Sequence, residues 1–164
     1  MLKTIGILLI FIPIASVGVY ISNNIKNKSE FWNQMILFNK MIEAEILYKS
    51  SDIFTFINSL DIETRYKRLK FLKNFNYIKN EYIDTNISKH LKIDEINDKE
   101  RELLTEYFVN IGKSDVENQI KHLKLFDSVF KSKKEQYDKQ YIEKSKVYRS
   151  VSVFIGAGVS IMLI

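Results

Sequence analysis

Two carboxylates near the middle of the chain are the first candidates for acid–base chemistry. Glu43 and Glu45 stand two apart in the segment Glu43-Ala44-Glu45-Ile46. On a helix, residues two apart point about 200° away from each other, so the pair is poorly placed to share one substrate atom. Glu45 follows Ile42 by three residues, beside an apolar stripe where a buried charge requires a partner. The favoured role of Glu45 is an interaction with another side chain of the fold that stabilises the structure. Recognition of a partner protein is the second possibility and catalysis the third.

Other residue types that support catalysis or bind metals are scarce. The chain has no cysteine, which excludes disulfides and thiolate metal sites. Its two histidines, His90 and His122, are too few for a histidine-built metal centre without carboxylate ligands. A glycine-rich phosphate loop is also missing. We therefore expect no enzyme activity, no cofactor and no small-molecule substrate.

The charge is mild and mixed in sign. Net charge is +5, and residues 22–149 contain every acidic residue and every basic residue except Lys3. A nucleic-acid binder would carry a dense basic surface. We therefore expect no nucleic-acid partner.

Two apolar runs occupy the ends of the chain, at residues 5–21 and 150–164. A membrane span needs about 20 apolar residues and tolerates a proline such as Pro13. The runs predict a transmembrane helix over residues 1–22 and a short transmembrane or membrane-inserted helix over 150–164. A cleaved signal peptide is the alternative for the first run, and a re-entrant or buried segment for the second.

The residues around the second run predict its orientation and its contacts. Lys144, Lys146 and Arg149 precede it, and this basic flank suits lipid headgroups and favours a cytoplasmic middle domain. Small residues recur every fourth position and would line one helix face, a pattern that permits close helix pairing and a homo-oligomer. Chance is the alternative explanation for this stripe of Ser152, Gly156 and Ser160.

The middle domain, residues 23–149, is predicted to be helical because it has no proline and a single glycine, Gly112. An apolar stripe predicts a first helix that continues from the first apolar run to about residue 50. Shorter helices are expected around residues 53–60, 66–75, 82–91 and 98–111, the last ended by Gly112 in a left-handed conformation. The stripe consists of Phe31, Met35, Phe38, Ile42 and Ile46.

A long final helix is predicted to begin at Ser114 and to continue into the second apolar run. Ser114 and Glu117 have the spacing of a capping box, in which each side chain bonds the other residue's backbone. The predicted fold is all-α: a membrane-anchored antiparallel bundle of about six helices, with apolar anchor helices at both ends.

Three segments carry a resemblance to a known family. They are Ile42–Tyr48, Gly112–Gln119 and Lys146–Ser150, the last leading into the terminal apolar run. In this order they resemble the stage III sporulation protein AB family of endospore formers, across essentially the whole chain.

The resemblance implies a fold, a partner and a location. The family is similar to the cytoplasmic helical domains of the type II secretion platform protein. It implies a non-catalytic membrane component of the channel between mother cell and forespore. Expected partners are the secretion-type ATPase, stage III sporulation protein AA, and other proteins of that operon. The expected location is the mother-cell membrane around the forespore. A helical membrane sensor is the alternative function.

The resemblance also marks signature positions: Glu43, Glu45, Tyr48, Gly112, Asp115 and Gln119. We expect Glu43 and Asp115 to shape a partner-facing surface, and Gly112 and Ser114 to set the turn between two helices. The alternative is that all six positions only stabilise the bundle.

Overall fold

The computed structural model describes residues 2–48, 53–62, 64–74 and 96–162, with the side chains of residues 2–10, 15, 54, 58, 74, 160 and 162 left aside. Its elements are α1 (Leu2–Tyr48), α2 (Ile53–Ser59), a 3₁₀ helix (Lys70–Asn74), α3 (Asp98–Asn110) and α4 (Val116–Met162). The described residues form no strand, as the all-α prediction requires. They hold four α-helices, however, so the predicted count of about six is wrong.

The segment predicted as a helix over residues 66–75 explains part of this difference. It contains turns followed by a 3₁₀ helix, in which the Leu69 and Leu72 amides donate to carbonyls three residues earlier. Tyr66, Leu69 and Leu72 are all buried. A repeat of three residues per turn places such positions on one face, which suits a 3₁₀ helix better than an α-helix. The helix predicted at 82–91 lies outside the described residues.

The predicted apolar anchor helices are also wrong. Within the described residues, none of the helices is long and apolar enough to cross a membrane. The first run, residues 5–21, is only about 17 residues long and includes Ser16 and Gly18, and the polar residues Ser22 and Asn23 follow it. The second run, residues 150–164, would rise only about 22 Å as a helix, against a hydrocarbon core of about 30 Å.

The chain divides into two compact units, and α1 and α4 contribute residues to both. A terminal unit contains Met1–Ser29 and Glu135–Ile164, and a central unit contains Glu30–Lys134. In the central unit the predicted stripe of α1 forms the core, because Phe31, Met35, Phe38 and Ile42 are fully buried. Buried aromatic and aliphatic residues of the other elements complete this core: Tyr66, Leu69, Leu72, Leu104, Tyr107, Phe108, Leu123, Phe126 and Phe130.

The register of α1 and α4 in the central unit is fixed by two contacts. The Asn39 side chain donates to the Leu123 carbonyl at 2.9 Å, and the Trp32 ring packs on Phe130 with centroids 5.6 Å apart. Earlier residues of α1 therefore lie beside later residues of α4, so the two helices are antiparallel. Helix α3 is also antiparallel to α4, because Tyr107 packs on Phe126 while Glu100 lies near Lys133.

In the terminal unit, small residues bring α1 and α4 close together. A β-carbon built on Gly18 would stand 2.4 Å from the Tyr148 carbonyl oxygen and 2.5 Å from Ser152 Oγ. One built on Gly156 would stand 3.0 Å from the Phe11 ring. Glycine at these positions therefore lets the helices approach more closely than a larger residue would allow.

Candidate functional site

The turn between α3 and α4, together with the first turn of α4, contains three of the six signature positions. Gly112 has φ of 78°, a left-handed conformation that glycine adopts without steric cost. Asp115 Oδ1 accepts from the Asn118 amide at 2.8 Å, so Asp115 caps α4. Gln119 Nε2 donates to the Ser114 carbonyl at 2.7 Å. Gly112, Asp115 and Gln119 thus build one turn, as expected for Gly112.

The capping box predicted at Ser114 and Glu117 is wrong. The cap is one residue later, at Asp115, and Glu117 instead forms an exposed ion pair with Lys121 at 2.7 Å. Ser114 and Asp115 are both good capping residues. The carboxylate has the added advantage of a negative charge next to the positive end of the helix dipole.

The chain does contain a capping box, at the start of α3. Asn97 Oδ1 accepts from the Glu100 amide at 2.9 Å, and Glu100 Oε2 accepts from the Asn97 amide at 3.1 Å. Glu100 is 1% exposed, and its carboxylate lies 3.5 Å from Lys133 Nζ. The Asn-x-x-Glu spacing is visible in the sequence and could have revealed this box.

The other three signature positions lie near the end of α1, with different surroundings. Glu45 is buried, as its place beside the apolar stripe predicted. Glu43 is half-buried. Tyr48 is 84% exposed, and nothing in the core requires its ring.

The antiparallel register brings the two signature segments to one end of the central unit. Asn39 is level with Leu123. One turn further along α1 is Glu43, and one turn back along α4 is Gln119. The C-terminal end of α1 and the turn before α4 therefore share one end, which we call the signature end.

A buried polar chain joins three helices just below the signature end. The Tyr107 hydroxyl donates to Asn39 Oδ1 at 2.9 Å, and Asn39 Nδ2 donates to the Leu123 carbonyl. The His122 ring stacks on Tyr107 at 13°, and its Nε2 lies 3.2 Å from the Tyr107 carbonyl. Burial raises the pKa of Tyr107 well above its ordinary range, so the hydroxyl stays a donor. The sequence reasoning missed this role of Asn39, a polar residue beside the apolar stripe.

No catalytic or metal arrangement emerges at these residues. Across the described ranges, no group of three or more histidine, aspartate or glutamate side chains could hold a metal ion. His122 packs against Tyr107, and His90 lies outside the described residues. Asn39 and Tyr107 are fully buried, which suits a bond that holds helices together better than chemistry on a substrate.

The predicted membrane-flanking residues lie on α4 in the terminal unit. Lys144, Lys146 and Arg149 are all exposed, and Arg149 Nη2 donates to the buried Ser22 hydroxyl at 3.0 Å. Of the small-residue stripe, Ser152 lies beside Gly18 and Gly156 lies beside Phe11, while the Ser160 side chain is outside the described residues. A homo-oligomer through this stripe remains a prediction.

Comparison with known families identifies the chain. Curated proteins and solved structures give no significant match. The family described as stage III sporulation protein AB matches residues 3–164, which confirms the resemblance carried by the Ile42–Tyr48 and Gly112–Gln119 segments. The chain belongs to the stage III sporulation protein AB family.

Proposed function

We propose that this protein is a non-catalytic platform component of the channel between mother cell and forespore, and that it docks the secretion-type ATPase, stage III sporulation protein AA. The family assigns the chain a role in stage III of sporulation. The finer role in the channel, formed with the other proteins of the operon and stage II sporulation protein Q, is our proposal.

The observation that carries the proposal is the meeting of the two signature segments at one end of a well-packed unit. Gly112 and Asp115 build the turn there, and Glu43 lies level with Gln119 through the register set by Asn39 and Leu123. A platform needs a surface whose geometry does not change when a partner binds. The Tyr107–Asn39 bond and the aromatic contacts of Tyr107 with Phe126 and Phe130 favour such rigidity.

We also propose that the protein works at the mother-cell membrane. Support comes from the exposed Lys144, Lys146 and Arg149 side chains, since such basic residues are attracted to anionic headgroups. Cell fractionation of sporulating bacteria tests this placement. Recovery of the protein only in the soluble fraction, at both low and high salt, would overturn it.

Replacement of Glu43 by alanine tests the docking proposal at a signature residue. We expect the variant to bind purified stage III sporulation protein AA more weakly while its free energy of unfolding stays within about 0.5 kcal/mol of the wild type. Glu102→Ala, at an exposed position of α3, is the control and should change neither quantity. A stability loss with intact binding would assign Glu43 to the bundle alone.

Purification of the tagged protein from sporulating cells tests the wider role. Recovery of the ATPase together with other channel proteins would support the platform. If none of them copurifies at native expression levels, a helical signalling protein becomes the better description.

A further inference from the structure

A short segment of the central unit concentrates the positive charge of the chain. Residues 64–73 contain five basic residues and no acidic one, and the net charge of the whole chain is also +5. The remainder of the chain is therefore balanced in charge. The basic residues of the segment are Arg65, Lys67, Arg68, Lys70 and Lys73.

Three of these residues share one side of the segment. The amides of Leu69 and Leu72 donate to the carbonyls three residues earlier, so the structure repeats every three residues. Tyr66, Leu69 and Leu72 are buried, and the residue that follows each of them is an exposed lysine. Side chains three apart are eclipsed in a 3₁₀ helix, so these lysines lie in one row, which we call the lysine ridge: Lys67, Lys70 and Lys73.

Contacts with α1 fix the position of the segment. The Tyr66 hydroxyl donates to Met41 Sδ. Two residues later, the Arg68 amide donates to Gln34 Oε1 at 2.9 Å, so the segment runs antiparallel to α1. Met41 is one turn before Glu45, so the lysine ridge begins beside the signature segment of α1 and extends away from the signature end.

The charges of the neighbouring elements do not cancel those of the segment. Asp61 is exposed, and its Oδ1 accepts from the Thr64 amide at 3.1 Å. Helix α2, which packs on the 3₁₀ helix, contains no charged residue. The charged side chains of α1 and α3 that are not buried in the central unit are of both signs, five acidic and three basic: Glu30, Glu43, Asp98, Glu102 and Glu106, and Lys40, Lys99 and Arg101.

The lysine ridge also differs from the lysines of α4 in its pairing. Lys121 and Lys131 each form an ion pair one turn away on their own helix. The ion pairs formed among the described residues include neither Lys67 nor Lys70. These two lysines therefore present their charge outward.

The spacing of the lysine ridge indicates the form of a complementary partner. Three residues of a 3₁₀ helix rise about 6 Å, so successive lysines stand about 6 Å apart along the ridge. Four residues of an α-helix rise the same distance, about 6 Å. Carboxylates at every fourth position of an α-helix would therefore face the lysines in register, and paired charges of this kind fix how two proteins align.

Other anionic partners fit the lysine ridge less well. Among the described side chains of residues 53–73, none that is large and apolar is exposed, aromatic rings included. A segment that lies on a bilayer surface inserts such side chains below the headgroups. A surface that binds single-stranded nucleic acid offers aromatic rings on which bases stack. A protein that recognises the lysines by charge alone therefore suits the ridge better.

We propose that the lysine ridge binds an acidic α-helix of the partner protein, with carboxylates at every fourth position. This inference rests on the proposed docking of stage III sporulation protein AA, and it adds a second surface to that contact. The ridge starts one turn of α1 from Glu45, so a partner bound at the signature end is close enough to reach it. Attraction between the two charge patterns steers the encounter and sets the register of the complex.

A paired charge reversal on the full-length chain tests the lysine ridge. Lys67→Glu combined with Lys70→Glu changes two exposed positions, so the fold should survive. We expect this variant to bind purified stage III sporulation protein AA at least about tenfold more weakly at low salt, because attraction becomes repulsion. Lys67→Gln combined with Lys70→Gln removes the charges without reversing them and should weaken binding by a smaller factor.

A second pair of exposed lysines gives the matched control. Lys40→Glu combined with Lys124→Glu makes the same change in net charge away from the ridge: Lys40 lies a third of a turn around α1 from Gln34, and Lys124 is on α4. We expect this control to bind the ATPase as the wild type does. Binding of the wild type should weaken as salt concentration rises, and binding of the ridge variant should depend less on salt, because screening acts on the charge attraction that the variant lacks.

The outcomes separate this inference from the proposed function. If the wild type does not bind the ATPase, both fail. If the wild type binds and the folded ridge variant binds equally well, or if the control weakens binding as much as the ridge variant does, only this inference fails. A ridge variant that binds the ATPase normally but loses a preference for phosphatidylglycerol vesicles over neutral vesicles would assign the ridge to a lipid surface instead.

Discussion

The bond between Tyr107 and Asn39 predicts that α1 and α3 are energetically coupled through one buried contact. Tyr107→Phe removes the hydroxyl alone and leaves Asn39 Oδ1 without its donor. Both side chains are fully buried, so solvent cannot replace the lost partner. Leaving a buried polar atom unsatisfied costs about 1–3 kcal/mol, and we expect the free energy of unfolding to fall by that amount.

The companion substitution removes the other side of the bond. Asn39→Leu keeps roughly the same volume but deprives the Tyr107 hydroxyl of its acceptor and the Leu123 carbonyl of its side-chain donor. We expect a loss of about 1–3 kcal/mol here as well. The double variant has neither orphaned atom, so its loss should be smaller than the sum of the single losses by about 1 kcal/mol.

Urea denaturation followed by far-UV circular dichroism measures all four proteins. The slope of free energy against urea should stay constant across the set, so that changes in the midpoint report stability alone. Tyr48→Phe is the control, because Tyr48 is 84% exposed and should change the stability by less than about 0.5 kcal/mol. Strictly additive single losses would refute the coupling, and a single loss below that of the control would refute the importance of the bond.

Three further predictions address pH, helix approach and capping. Burial raises the pKa of Tyr107 well above its ordinary value of 10.0, so the folded state holds this proton more tightly than the unfolded state does. The contribution of this proton to the free energy of unfolding is fully present below pH 10 and is lost as pH rises above that value. Unfolding measured across alkaline pH should therefore show a less steep loss of stability in Tyr107→Phe than in the wild type. Gly18→Ala should destabilise the protein by about 1–3 kcal/mol, since its β-carbon would meet the main chain of α4. Gly158→Ala should stabilise α4 by up to about 1 kcal/mol, because there is open space around Gly158. Changes in melting temperature of the same sign for Gly18→Ala and Gly158→Ala would contradict the close approach of α1 and α4 at Gly18. Asp115→Ala should cost about 1 kcal/mol in urea and Ser114→Ala almost nothing, whereas the reverse order would return the cap to Ser114.

The parts of the fold that depend on a regular repeat were predictable from the sequence. Phe31, Met35, Phe38 and Ile42 recur at helical spacing, and all four form the core of the central unit. Gly112 ends α3 as predicted, because a left-handed residue after a helix favours glycine over other types. Periodicity and glycine chemistry are local properties, so a single sequence is enough to reveal them.

Features that depend on a choice between similar local options were harder to predict. Ser114 and Asp115 both suit a helix cap, and the choice of Asp115 depends on backbone geometry that composition does not specify. The spacing of Tyr66, Leu69 and Leu72 is compatible with both helix types, and packing selected the tighter one. The role of Asn39 depends on Tyr107, a residue far away in sequence.

The prediction of membrane-anchoring helices at the two apolar ends was wrong for a different reason. Apolar character was weighed more heavily than length, although the run at residues 150–164 is shorter than the roughly 20 residues that a membrane span needs. The glycines and serines in these runs also had a second explanation. Gly18 and Gly156 permit close packing of α1 against α4 within the terminal unit, and close packing requires small residues whatever surrounds the helices.

The signature positions separate into two groups once their structural roles are known. Gly112, Asp115 and Gln119 each have a local task in the turn before α4, which is a sufficient reason for their residue types. Tyr48 has no such task, because a ring that is 84% exposed contributes little to the stability of the unit. A large aromatic side chain that the fold does not require is better explained by the partner contact proposed above than by packing. Substitutions at Tyr48 therefore separate partner binding from stability more cleanly than substitutions in the turn.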